Sequence, residues 1–168
     1  MLKQTTTIQT LHNIPWFIEL TFQQMEKLAS LAVFTNLALG AELFHEGDRE
    51  DNIYILIEGQ VCLEVTVPTQ GQVRIGLSEP LDIIGWSAMT SAVRQRTATA
   101  RANQPCTLIA FNGDALRNLC EEDHDIGYVF LLRLSNVIAT RLLTTRLHLY
   151  DLVLQSARLD SESNNFVL

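Results

Sequence analysis

Between residues 41 and 111 the chain runs as short apolar-rich stretches cut by turn residues, and this cadence limits what it can fold into. The stretches are Ala41–His45, Asn52–Glu58, Gln60–Val67, Gln72–Ser78, Thr97–Ala102 and Cys106–Phe111. They are bounded by Gly40, Gly47-Asp48, Glu58-Gly59, Thr69-Gln70-Gly71 and Asn112-Gly113. Glycine, asparagine and aspartate at the breaks suit the backbone of tight turns. Many short strands at such spacing form a β-sandwich or barrel. Within Asn52–Glu58, Tyr54 and Leu56 alternate with Ile53, Ile55 and Ile57. Apolar residues on both sides of the pleat predict a strand buried on both faces.

The flanks follow a helical period. Residues 11–20, containing Leu11-His12-Asn13-Ile14-Pro15-Trp16-Phe17, read as a short capping segment. Thr21 is placed to cap a helix of about ten residues, with Met25, Leu28, Ala29 and Ala32 on one face. After Asn112-Gly113, Asp114–Glu122 reads as a short helix with Leu116, Leu119 and Cys120 inward. Asp123-His124-Asp125 offers caps for a long helix over about 126–154, which at 1.5 Å per residue spans about 43 Å.

Two apolar stripes run along that helix. One is Leu131, Leu134, Ile138, Leu142, Thr145, Leu149 and Leu152; the other includes Leu143, Leu147, Tyr150 and Leu154. One stripe can pack on the β-domain, and the second suggests a partner helix, hence a parallel homodimer. The alternative is a helix buried more fully by its own domain. Arg133, Asn136 and Arg141 interrupt the most apolar part, Tyr128–Leu143, so a membrane span is not expected.

The segment Gly85-Trp86-Ser87-Ala88-Met89, followed by Arg96-Thr97, reads as an anion-binding cassette. A tight turn leads into a short helix, and an arginine and a hydroxyl arrive from the next strand. An alternative for Arg96 is a surface arginine in the polar run Arg94-Gln95-Arg96.

With 168 residues the chain suits one domain with a sizeable core. We place that domain at residues 1–155, long helix included, with 156–168 as a short tail. The formal net charge of −7 argues against direct DNA binding by the chain as a whole. Cys62, Cys106 and Cys120 lack a CxxC spacing and are few and odd in number, which fits reduced thiols and a cytoplasmic location. Met1–Thr7 lacks the apolar core of a signal peptide. His12, His45, His124 and His148 share no ligand-type spacing, so neither a metal nor a metalloenzyme is expected. GxSxG, Walker A and HExxH patterns are missing, and Glu46, Glu50 and Asp51 read as a solvated acidic turn. The chain is therefore not expected to be an enzyme.

Leu39-Gly40-Ala41-Glu42-Leu43-Phe44-His45-Glu46-Gly47-Asp48, followed by Asn52–Val61, resembles the cyclic-nucleotide-binding domain family. The cassette and Arg96-Thr97-Ala98-Thr99-Ala100-Arg101-Ala102 resemble the second half of the family signature. The resemblance covers residues 11 to about 155. It implies a mainly β, eight-stranded jelly-roll with flanking helices and a pocket for a cyclic nucleotide phosphate. In that pocket Gly85, Ser87 and Ala88 would frame the helix N-terminus. Arg96 would hold the phosphate and Thr97 would supply an adjacent hydroxyl. Thr145, and beside it Thr144, stand about where the family places a polar contact to the base; a tolerated threonine in a helix interface is the alternative.

One position departs from the pattern. Where Trp86 stands, the family typically has a glutamate that accepts a bond from the ribose 2′-hydroxyl. An indole N–H only donates. The ring could partly fill the pocket, stack on a flatter or larger ligand, or pack in the core. The resemblance thus implies a non-catalytic sensor for an anionic, nucleotide-like small molecule of atypical specificity, passing its signal to an effector protein. A ligand-free interaction protein on the same fold is the alternative. After the long helix, Ser156–Leu168 is too short for a helix-turn-helix module, so DNA would be reached, if at all, through a separate chain.

Overall fold

Eight strands and their turns close into two four-stranded antiparallel sheets in the computed structural model of the chain. The structure describes residues 2–90 and 93–164, with side chains described for 7–90, 93–151, 153 and 154. In chain order the elements are α1 (Leu2–His12), a 3-10 turn (Pro15–Phe17), α2 (Phe22–Leu31), β1 (Val33–Leu37), β2 (Glu42–Phe44), β3 (Asn52–Glu58), β4 (Val61–Val67), β5 (Gly71–Ser78) and β6 (Ile83–Ile84). A second 3-10 turn (Trp86–Met89), β7 (Thr99–Ala102), β8 (Cys106–Asn112), α3 (Gly113–Glu122) and α4 (His124–Asn164) follow. One sheet has the order β1-β8-β3-β6 and the other β2-β7-β4-β5. This is the jelly-roll arrangement expected from the sequence.

The two sheets bury a common core. Tyr54, Leu56, Ile84, Leu108 and Ala110 from the first face Val61, Leu63, Ala100 and Ala102 from the second. Alternate residues Ile53, Ile55, Ile83, Ile109 and Phe111 are also buried, at 0–1% exposure. The first sheet is thus covered on its outer face too, and β3 is the doubly buried strand the sequence predicts. Phe111 meets Phe130 edge-on at 5.9 Å, and Phe130 lies 5.2 Å from Phe17, so the opening turns of α4 and the N-terminal helical segment share that outer layer.

Thr21 caps α2 through a capping box with Gln24, a reciprocal pair that satisfies two otherwise unpaired N–H groups. Met25, Leu28 and Ala29 are buried, while Ala32 has left the helix as its C-cap residue. Asn112 caps α3 by accepting from the Ala115 N–H. Leu116 and Leu119 are buried there, and Cys120 is only partly so. Asp123 joins α2 to the α3–α4 corner, accepting from Lys27 Nζ at 2.9 Å and Gln24 Nε2 at 2.9 Å.

Four elements go beyond the sequence reading. α1 extends the expected capping segment back to Leu2. β1 follows α2 with no glycine to announce it, and β6 is two residues long. The long helix runs from His124 to Asn164, further than the expected 126–154 at both ends and into the expected tail. Asn165–Leu168 lie outside the described residues.

The chain divides into two units, residues 1–134 and 135–168. In the first, Ile126, Phe130 and Leu134 of α4 are buried, and the Arg133 guanidinium lies 5.6 Å from the Trp16 ring. In the second, Leu142, Leu143, Leu147, Leu149, Tyr150, Val153 and Leu154 are exposed; the Leu152 side chain is outside the described residues. By length and composition alone, His124–Asp151 could cross a membrane.

Candidate functional site

The cassette begins where β6 ends. Ile84 pairs with Tyr54 of β3, and the next residue, Gly85, turns the chain with φ +77 and ψ 33. That left-handed conformation favours glycine. A second reason is steric. A Cβ on Gly85 would sit 2.5 Å from Arg96 Nη1 and 3.1 Å from the Asn52 carbonyl oxygen. The 3-10 turn Trp86–Met89 follows, with the Ala88 N–H donating to the Gly85 carbonyl at 3.1 Å.

Arg96 reaches the cassette from the segment before β7. Its backbone is locked to the turn after β2: Arg96 N–H donates to the Asp48 carbonyl, and Gly47 N–H donates to the Arg96 carbonyl, both at 2.8 Å. The side chain then points inward, 1% exposed. Nη1 donates to the Gly85 carbonyl at 2.7 Å and to Ser87 Oγ at 3.2 Å. Nη2 donates to the Asn52 carbonyl at 2.5 Å and to Glu50 Oε2 at 3.3 Å. Its guanidinium carbon lies 4.2 Å from the Phe44 ring centroid, close enough for a cation–π contact. Nε is buried with no hydrogen-bond partner among the described residues.

Arg96 is therefore not the surface arginine of the alternative reading. All four terminal N–H groups of the guanidinium are engaged, and a buried charge so held is costly to disturb. Glu50 is not a free member of a solvated turn either. It accepts from Arg96, and Tyr54 Oη donates to the same Oε2 at 3.3 Å. Burial, and next the nearby Glu50 charge, push the Tyr54 phenol above its ordinary pKa, so it remains a donor. Glu46 is engaged as well: its N–H donates to Thr99 Oγ1 at 3.0 Å and its carboxylate accepts from the Thr66 N–H at 2.8 Å.

The structure thus brings Gly85, Ser87 and Arg96 into direct contact. Ala88 is buried in the same turn, and its carbonyl accepts from Arg117 of α3. Trp86 is partly buried at the start of the turn. Thr97, beside Arg96, is exposed. Thr145 lies in the second unit, exposed on α4, and Thr144 there bonds back to the Thr140 carbonyl at 3.0 Å. Glu50, Asn52, Phe44 and Tyr54 complete the surroundings of Arg96 and were not singled out for it in the sequence. The Glu50 contact spans 46 residues and the Asn52 contact 44, and no local pattern encodes such pairs. His45 sits beyond the end of β2, exposed, beside Glu42 and Asp48. Among the described residues no group of three metal-ligating side chains forms.

A family model described as cyclic nucleotide-binding domain matches residues 34–123. Among solved structures, the chain is similar to the N-terminal domain of a transcriptional regulator from Streptomyces coelicolor A3(2). That likeness has 28% identity over 83% of this chain and 94% of the other, with a TM-score of 0.61. It is also similar to the sensor domain of the transcriptional regulator DNR from Pseudomonas aeruginosa, at 23% identity over 84% and 95% of the two chains and a TM-score of 0.69. A cyclic nucleotide-binding domain from Methylobacillus flagellatus KT is similar at 22% identity, over 91% and 83%, with a TM-score of 0.71. Among curated proteins none matches the chain.

Proposed function

Because the chain belongs to the cyclic nucleotide-binding domain family, we propose that it is a non-catalytic, cytoplasmic sensor module. Its ligand is an anionic, nucleotide-like small molecule held at the cassette of Gly85, Trp86, Ser87, Ala88, Arg96 and Thr97. The observation that carries this reading is the convergence of Gly85, Ser87 and a buried Arg96 on one turn. A buried guanidinium beside the N-terminus of a short helical turn suits a phosphoryl group. Trp86 gives the specificity its atypical character, since the indole cannot accept a ribose hydroxyl. Leaving that hydroxyl unpaired costs about 1–3 kcal/mol, roughly one to two powers of ten in affinity.

The signal passes to an effector protein through α4, whose opening turns are buried against the β-domain and whose later apolar positions pair with a second copy of the chain. Burial of Ile126, Phe130 and Leu134 supports a helix built for packing and not for a membrane.

Isothermal titration against cyclic mono- and dinucleotides tests the reading. Binding is expected for at least one, lost in Arg96→Ala, and tighter for the 2′-deoxy form of a cyclic mononucleotide by up to about one to two powers of ten, since the deoxy form has no hydroxyl to leave unpaired. A circular dichroism spectrum of the variant separates lost binding from lost folding. Silence from every nucleotide at millimolar concentration, with the unaltered chain and with Glu50→Gln alike, would sink the sensor reading.

A second reading is favoured by one observation: the terminal N–H groups of Arg96 are all engaged with the chain itself. In that reading the arginine is a strut and the module acts by protein contacts alone. It predicts no change in melting temperature with any nucleotide.

A further inference from the structure

We propose that Glu50 is the resident counter-ion of the cassette, a carboxylate that holds the place of a ligand phosphoryl oxygen at Arg96 and must leave before an anion can bind. The inference rests on the anion-site reading above. Four acceptors surround the Arg96 guanidinium, and they are not alike. The Gly85 and Asn52 carbonyls are main chain, fixed by the cassette turn and by the start of β3. Ser87 Oγ belongs to a residue 2% exposed. Glu50 is the acceptor that carries charge, and its side chain is 36% exposed against 1% for Arg96. It is therefore the partner that can swing into water.

The chemistry of the exchange is matched. One oxygen, Oε2, takes bonds from both Arg96 Nη2 and Tyr54 Oη. When Glu50 leaves, a charged N–H and a phenolic O–H come free together, about where one anionic oxygen had been. A phosphoryl oxygen accepts both bonds and restores the negative charge beside a buried cation. The Nε–H, buried and unpartnered among the described residues, marks a guanidinium whose donors exceed the acceptors around it. Glu50 would thereby set a threshold: weak anions fail to displace it, and a ligand with contacts elsewhere in the cassette succeeds.

Titration of the full chain, Glu50→Gln and Glu50→Ala with cyclic AMP, cyclic di-GMP and inorganic phosphate tests this, with circular dichroism confirming that each variant folds. Glu50→Gln keeps the shape and removes the charge. At least about tenfold tighter binding than the unaltered chain is expected, the order for removing one like charge beside an anion. Binding by Glu50→Gln where the unaltered chain is silent supports the proposal equally. Gain with inorganic phosphate would mean that the phosphoryl group suffices; gain with nucleotides alone, that the cassette also reads the rest of the ligand. Binding by the unaltered chain with no gain in either variant overturns the counter-ion role and leaves the sensor reading standing. Silence from all three proteins with every probe overturns both.

Discussion

Gly85 and Arg96 fit each other with no room for a side chain between them: Arg96 Nη1 donates to the Gly85 carbonyl at 2.7 Å, and a Cβ on Gly85 would lie 2.5 Å from that nitrogen. The guanidinium cannot yield easily, because Asn52, Ser87 and Phe44 surround it. Gly85→Ala should therefore destabilise the fold by more than about 2 kcal/mol, the sum of left-handed strain and displacement of a buried arginine. Gly40→Ala is the control. Gly40 has φ +80 and nothing within 4 Å of where a Cβ would sit, so it should lose only the backbone part, about 1 kcal/mol. Urea denaturation of the two variants measures the difference.

Thr69 offers the reverse experiment. It is a β-branched residue with φ 72, exposed in the turn between β4 and β5. Asparagine tolerates that backbone region far better. Thr69→Asn should stabilise by about 1 kcal/mol and raise the melting temperature by about 2–4 °C. A thermal melt that is unchanged or lower would refute the strain.

Asp123 makes part of the stability depend on pH. Its carboxyl is held below its ordinary value of 3.8, first by the hydrogen bond from Lys27 and then by that from Gln24. A depressed carboxylate stabilises fully above its unfolded pKa and loses that contribution as pH falls through the folded one. Asp123→Asn should thus be less stable than the unaltered chain from neutral pH down to about pH 5, with the gap closing below about pH 4. Denaturation midpoints across that range check the sign; a gap that widens on acidification would contradict it.

The second unit carries the oligomer prediction. Leu142 and Leu149 are one heptad apart and 70% and 61% exposed, a spacing that keeps both on one seam of a helix pair. Leu142→Asp with Leu149→Asp should turn a dimer into a monomer with the β-domain spectrum intact. Light scattering coupled to gel filtration reads this directly. A monomeric unaltered chain would remove the proposed parallel pairing.

What the sequence determined by itself is local in origin. Turn chemistry at Gly47, Gly59 and Asn112-Gly113 and the double alternation of Asn52–Glu58 place most strands within a residue or two. Thr21 and Gln24 announce α2 because a capping box is made within one helical turn. The family resemblance groups Gly85, Ser87 and Arg96 in advance as ligand contacts; in the structure Arg96 Nη1 bonds to both of the others. Tertiary structure alone decided what that cluster is made of. Neighbours such as Arg94 and Gln95 are exposed while Arg96 is buried, because its backbone pairs with Gly47 and Asp48 across the fold. Glu50, outwardly one more acidic turn residue, becomes the charge partner of Arg96 only when two segments 46 residues apart close on the same oxygen. Periodicity and turn propensity act over a few residues, whereas charge compensation at a buried guanidinium depends on which distant segments the sheets bring together.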